Sequence, residues 1–378
     1  MPLANVSGAK PSQLGPARAT ERLMAPSIRI EKTTTPRPRP NPSDFGFGKH
    51  FTDHAFHMEW AVDKGWADPR VVPYGNLSLD PAAAALHYGQ AMFEGLKAFR
   101  LPDGSIHLFR LDAHVARMGR GAPRLCMPVP DPELMAEGIR AAVRADSDWV
   151  PSDPGTALYI RPTLIATEAF LGVRPSNRYM FYVICSPVGS YYGGGMRPVK
   201  IWIERDQTRA APGGLGGVKA AANYAASLKA AVAAKERGYE QVLWLDAKNH
   251  EHLEEVGTMN LFVRFDDELV TAPLGDTILA GVTRDCVMQL AGDLGLKVRE
   301  RPIAVKELID GAKSGKLKEV FGTGTAAVIS PVGELGMEGE KLSIGGGAVG
   351  DVAQKLYDAI TSIQYGKTPD TRGWLHPL

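Results

Sequence analysis

The chain has 378 residues, 44% of them hydrophobic, which is more apolar material than one core usually holds, so two domains are expected. Its 43 basic and 42 acidic side chains leave a formal net charge of +1, which gives no electrostatic case for a nucleic-acid or membrane partner. No apolar run approaches the roughly 20 residues that a membrane-spanning helix needs.

Residues 1–44 hold eight prolines, seven Lys/Arg and three Asp/Glu, and end in "TTTPRPRPNP". Proline at this density forms neither helix nor central strand, so the stretch reads as a disordered tail. An Arg-rich, acid-poor start also fits a transit peptide, but "TPRPRP" is not amphipathic. Met24 offers an alternative start.

A small α+β domain is expected over 45–190. Segments 56–62 and 68–79 read as strands. "PAAAALHYGQAM" opens as a helix after Asp80, with Pro81 at its first position. "LKAFRLPDGSIHLFRL" is a hairpin across "PDGS". "DAHVARMGRGAPRL" is a short helix with Asp112 as its cap, and "PDPELMAEGIRAAVRAD" is an amphipathic helix. "GTALYIRPTLIAT" and "NRYMFYVICSPVG" are apolar, β-branched runs that suit core strands.

The Gly-rich stretch 191–198 reads as an interdomain loop, and 199–378 as a larger α/β domain. There "VKIWIE" is a strand and "AANYAASLKAAVAAKERG" a helix closed by Gly238. "EQVLWLD" is a strand, and "TMNLFVRF" with "ELVTAP" a hairpin. "TRDCVMQLAGDLG" and "VKELIDGAK" are helices, "LKVRERPI" and "LKEVFGTG" strands, and "GDVAQKLYDAITSIQYG" the last helix.

Three constellations carry chemistry. In "GGVKAAANYAAS", Lys219 sits among small residues. It is either a surface lysine or a desolvated amine, neutral enough to form a Schiff base, with room beside it for a planar ring. In "EEVGTMNLF", Glu255 enters an apolar strand. It is either exposed at the sheet end or paired, for instance with a protonated pyridine nitrogen. "LAGVTRD" and "FGTGTAAV" are two anion cradles or two ordinary turns. In the first, Gly281 lets the backbone approach a ligand at a helix start, where Thr283 would otherwise be a plain N-cap. The second ends a strand. A lysine, a carboxylate and two anion cradles in one domain suit a phosphorylated aldehyde cofactor.

These segments, with "LHYGQAMFEGLKAFR", "FRLDAHVARM", "LYIRPTLIATE" and "SPVGSYY", closely resemble the branched-chain amino acid aminotransferases. These are pyridoxal phosphate enzymes of fold type IV. The resemblance runs from about residue 45 to 377. It implies a small α+β domain, a larger barrel-like α/β domain and an active site between them, in a homodimer.

By the resemblance, Lys219 carries pyridoxal 5′-phosphate as a Schiff base and shuttles the proton between substrate Cα and cofactor C4′. Tyr224 bonds the ring hydroxyl, and Glu255 the pyridine nitrogen. Arg117 binds the phosphate with Gly281, the amides of Val282 and Thr283, and Thr325. Thr258 lies beside the cofactor. The amides of Thr325 and Ala326 hold the substrate α-carboxylate. Phe93, Tyr159, Tyr191 and Tyr88 wall an apolar pocket. Arg161 recognises the distal carboxylate of glutamate, and loop 170–173 closes over the partner subunit's site.

The implied reaction is ping-pong transfer of an amino group between leucine, isoleucine or valine and 2-oxoglutarate. Within the class, a D-amino acid aminotransferase or an aminodeoxychorismate lyase is the alternative. Outside it, a non-catalytic binding protein on the same scaffold would lose Lys219 and Glu255 first.

Two departures stand out. Mammalian members carry a CxxC pair after the second turn, where this chain has Ala327-Val328-Ile329-Ser330. Ala222 stands where many members have glycine. The three cysteines, Cys126, Cys185 and Cys286, lie far apart and suit a reducing, cytoplasmic setting with no metal site.

Overall fold

The computed structural model describes residues 27–189, 195–266 and 268–378. Their strands gather into two nine-stranded sheets. Across the first run Arg29–Ile30, Gly65–Pro73, His54–Ala61, Arg178–Val188, Ala157–Ala166, Leu96–Arg100, Ile106–Phe109 and Leu375–Pro377. Ala91–Phe93 adds to the side of Ala157–Ala166. The two long apolar runs pair without a break, from Ala157 opposite Val188 to Ala166 opposite Tyr179. Helix Pro132–Ala145 starts at Asp131, whose carboxylate accepts the Leu134 N–H as an N-cap. Its apolar face lays Met135, Ile139 and Val143 into the core of this sheet.

In the second sheet six strands close on themselves. Leu253–Val256, Gln241–Leu245, Val199–Ile203, Val328–Met337, Leu317–Gly324 and Met259–Phe265 follow in order, and the last pairs back to the first. Closure removes the free edges. The strands bury Ile201, Leu243, Leu261, Val263 and Leu335 in one aliphatic cluster. Glu268–Thr271 and Lys297–Glu300 extend the sheet beyond the ring. A further cluster joins the two sheets, with Phe99, Phe109 and Tyr159 packed among Phe262, Phe321, Ile329 and Leu356. The expected mixed architecture, with a barrel in the second half, is what these residues form.

Several local expectations need correction. The helix expected from Pro81 begins at Ala84 and ends at Tyr88, because the Asp80 carboxylate accepts the Ala82 N–H in a tight turn of its own. Asp112 does not cap helix Leu111–Gly121; Arg110 holds the N-cap position and Asp112 pairs with His376. Strands Leu253–Val256, Val328–Met337 and Leu375–Pro377 were not anticipated, and the last returns the C-terminus to the first sheet.

Part of the stretch expected to be a disordered tail is placed. Residues 27–44 lie against the first sheet, with Arg29–Ile30 pairing in parallel with Gly65–Pro73. The Thr33 N–H donates to Nε2 of His54 at 2.9 Å. Nδ1 therefore bears the proton and donates to buried Asp146 at 2.7 Å. The Arg37 guanidinium stacks over the Tyr74 ring at 4.3 Å. The prolines keep this arm out of a helix without keeping it off the domain. Residues 1–26 lie outside the described residues.

Asp146 thus anchors the arm through His54. Replacing Asp146 with alanine leaves two buried donors of His54 unpaired, its backbone N–H and Nδ1, at about 1–3 kcal/mol each. Urea unfolding will read that loss, and hydrogen exchange will speed at the amides of Glu31 and Thr33, which bond Val71 and His54.

Candidate active site

A cavity of about 550 Å³ opens between the sheets, within the range of small-molecule sites. Phe93, Arg117, Tyr159 and Arg161 line it from the first domain. Lys219, Tyr224, Glu255, Thr258, Gly281, Val282, Thr283, Thr325 and Ala326 line it from the second.

Lys219 sits just before helix Ala221–Glu236. Its carbonyl accepts the Phe93 N–H at 3.1 Å, and Ala220 bridges Met92, so the small residues let the domains touch backbone to backbone. The Lys219 amine donates to the Tyr224 hydroxyl at 2.6 Å and lies 4.7 Å from the Phe93 ring centre. Burial, and then the Arg117 guanidinium, pushes its pKa down to about 7. Of the two readings of this lysine, the desolvated amine is the one realised.

Arg117 is held in place from behind. Its Nε donates to Glu94 Oε1 at 2.7 Å and its Nη2 to Oε2 at 2.8 Å, while Nη1 donates to the Ala280 carbonyl. His114 adds a contact to Glu94 Oε2 at 2.9 Å. Burial opposes ionisation of Glu94, but Arg117 overrides it and holds the carboxyl well below the usual range.

Glu255 is buried and paired. Its Oε1 accepts the Leu279 N–H at 2.9 Å and the Asn260 amide at 3.2 Å, and Oε2 lies 3.2 Å from Arg209 Nε. Burial raises its pKa against the pull of Arg209.

Helix Val282–Asp293 follows Gly281, which is its N-cap and offers no side-chain bond. Thr283 is therefore inside the first turn, and Gly281, Val282 and Thr283 line the cavity at this helix start, where N–H groups lack intrahelical partners. A Cβ on Gly281 would come within 1.9 Å of Asn260 Oδ1, so only glycine allows this approach. The second turn, 325–327, leads into Val328 at φ 63°, with the Ile329 N–H on the Ala327 carbonyl.

One expected residue among those described is not in the cavity. Tyr88 is 44% exposed and turns its hydroxyl to the Leu171 carbonyl, so it does not wall the pocket of its own chain. Tyr191 lies outside the described residues. Four residues were missed. Phe47 lines the cavity and meets Tyr159 edge to face at 4.8 Å; its setting in "FGFG" was the available signal. Asn260 reaches Glu255 from the strand after it, while Glu94 and Arg209 act only through partners distant in sequence.

Residues 91–335 match the family described as amino-transferase class IV. The chain belongs to the class IV aminotransferases. It is 51% identical over 348 residues to branched-chain-amino-acid aminotransferase 2 of Bacillus subtilis (strain 168), covering 92% of this chain and 96% of that one. The crystal structure of the branched-chain amino acid aminotransferase of Escherichia coli superposes with a TM-score of 0.70 at 28% identity, covering 84% and 98%. The branched-chain aminotransferase of the thermophilic archaeon Thermoproteus uzoniensis, solved with norvaline, gives 0.70 at 27% identity, covering 85% and 99%.

For this class IV aminotransferase the Lys219 setting sets a pH expectation. Only the neutral amine attacks an aldehyde, and its share grows as pH rises through the pKa. In the protein freed of cofactor, the rate of pyridoxal phosphate capture should rise through about pH 7 and then level. An ordinary lysine would still be gaining near 10.5. Stopped-flow absorbance checks this.

Proposed function

We propose that the chain is a branched-chain amino acid aminotransferase that uses pyridoxal 5′-phosphate and passes an amino group between leucine, isoleucine or valine and 2-oxoglutarate. The observation that carries this reading is one cavity lined by a lysine amine with a lowered pKa, a buried carboxylate and two Gly/Thr turns. The relatives' names point the same way.

The donors fit the cofactor. Arg117, the amides of Val282 and Thr283, Gly281 and Thr325 would hold the phosphate. Glu255 would pair with the ring nitrogen, and Tyr224 with the ring hydroxyl. Thr258 would lie along the ring. Bound there, pyridoxal phosphate supplies an electron sink for the charge left on the substrate Cα. Lys219 would hold the cofactor covalently and then, as a free amine, take the Cα proton and return it at C4′.

Substrate orientation follows from the walls. The amides of Thr325 and Ala326 would take the α-carboxylate. Phe93, Tyr159 and Phe47 form an apolar face that suits a branched aliphatic side chain. Arg161 stacks on Phe93 with its guanidinium carbon 4.5 Å from the ring centre, and donates to the Tyr159 hydroxyl at 2.9 Å. It is the cation for the distal carboxylate of glutamate.

A homodimer belongs to the same proposal. Leu228 and Val232 of helix Ala221–Glu236 are 62% and 56% exposed, and Leu171 and Val173 are 59% and 86% exposed. Such apolar exposure suits a subunit contact. Tyr88, carried beside Leu171, would then reach the partner's cavity. No helix among the described residues is long and apolar enough to cross a membrane. The free thiols of Cys126, Cys185 and Cys286 fit a cytoplasmic setting.

A single half-reaction tests the substrate reading. Leucine, isoleucine and valine should each convert the loaded protein to its pyridoxamine form, read by absorbance, while D-alanine should not. Conversion by D-alanine alone would contradict it.

A further inference from the structure

Lys97 lies on strand Leu96–Arg100, directly opposite Tyr159 in register. Its ammonium crosses between the domains and donates to the Ala326 carbonyl at 2.8 Å. Lys97 is not among the cavity-lining residues, whereas Thr325, Ala326 and Ala327 all are. A trans peptide sets its C=O and N–H on opposite sides. A carbonyl drawn outward to Lys97 therefore turns the Ala327 N–H of the same peptide inward.

The turn is also strained. Val328 holds φ 63°, a conformation rare for a β-branched residue, and the Ile329 N–H bonds the Ala327 carbonyl at 2.8 Å across it. Such conformations persist only where surrounding contacts over-determine them. The bond from Lys97 is one such contact, supplied by the other domain.

We propose that Lys97 is a positioning residue for the substrate carboxylate: it grips the turn 325–327 from behind, polarises the Ala326–Ala327 peptide and sets the Ala327 N–H toward the cavity, beside the amides of Thr325 and Ala326. The inference rests on the reading above that this turn takes the α-carboxylate. Charge supports the geometry. Burial pushes the Lys97 pKa down to about 8, and no carboxylate of the described residues lies within ion-pair distance of it. A substrate carboxylate on the turn brings the negative charge that this cation lacks.

Calorimetry on the holoenzyme tests this with two unreactive probes, 4-methylpentanoate and its neutral amide. The unaltered protein should prefer the carboxylate. Lys97→Met should weaken carboxylate binding about tenfold, the scale of a charge-assisted hydrogen bond. It should leave the amide and the bound cofactor unchanged, and raise KM more than it lowers kcat. Lys97→Arg should restore most of the preference, and Lys97→Gln, which keeps a donor without charge, should fall between. Equal loss for both probes would mean simple packing and would overturn the proposal, as would no loss for either. Failure of the unaltered protein to prefer the carboxylate would instead overturn the reading of the turn, and this inference with it.

Discussion

The cleft between the two sheets must hold several charges away from water, and a buried charge is tolerated only when it is paired and hydrogen-bonded. The structure meets this constraint in sequence. Glu94 neutralises Arg117 with two hydrogen bonds, and Arg209 faces Glu255. Lys219 stands between these pairs with no carboxylate of its own, so it gives up its charge instead. With a pKa of about 7, a large share of the amine is neutral at pH 7, and the neutral form is the one the proposed chemistry needs. Its lowered pKa follows first from burial and then from the nearby Arg117 guanidinium.

Neither domain completes this arrangement alone. The first supplies Arg117, Phe93, Tyr159 and Arg161; the barrel and its loops supply the amine, Glu255 and both Gly/Thr turns. Contacts across the seam fix their relative positions. The Phe93 N–H meets the Lys219 carbonyl, Arg117 meets Ala280, and Lys97 meets Ala326. Each of these bonds ends at or beside a residue that lines the cavity, so the contacts that join the two sheets also frame the site.

Much of this was legible in the sequence, and the gaps have physical causes. Lys219 and Glu255 were ambiguous singly because a small-residue setting and a strand-entry carboxylate each have ordinary explanations; their conjunction with two Gly/Thr turns removed the ambiguity. Long apolar runs such as Ala157–Ala166 identified themselves. Val328–Met337 did not, because Pro331, Gly333 and Gly336 interrupt its strand pattern. The arm at 27–44 was misread because composition reports what a segment cannot form, not what it lies against. Glu94, Arg209 and Lys97 were missed because their roles exist only through partners brought close by folding. Lys97 bonds a carbonyl 229 positions away.

The central claim is that Lys219, and no other amine, carries the cofactor. Lys97 is the instructive competitor, since burial lowers its pKa as well, to about 8. Borohydride reduction of the holoenzyme followed by peptide mapping decides between them. The account predicts a single reduced pyridoxyl adduct on the peptide bearing Lys219. An adduct on the peptide bearing Lys97, or none at all on cofactor-loaded protein, would contradict it.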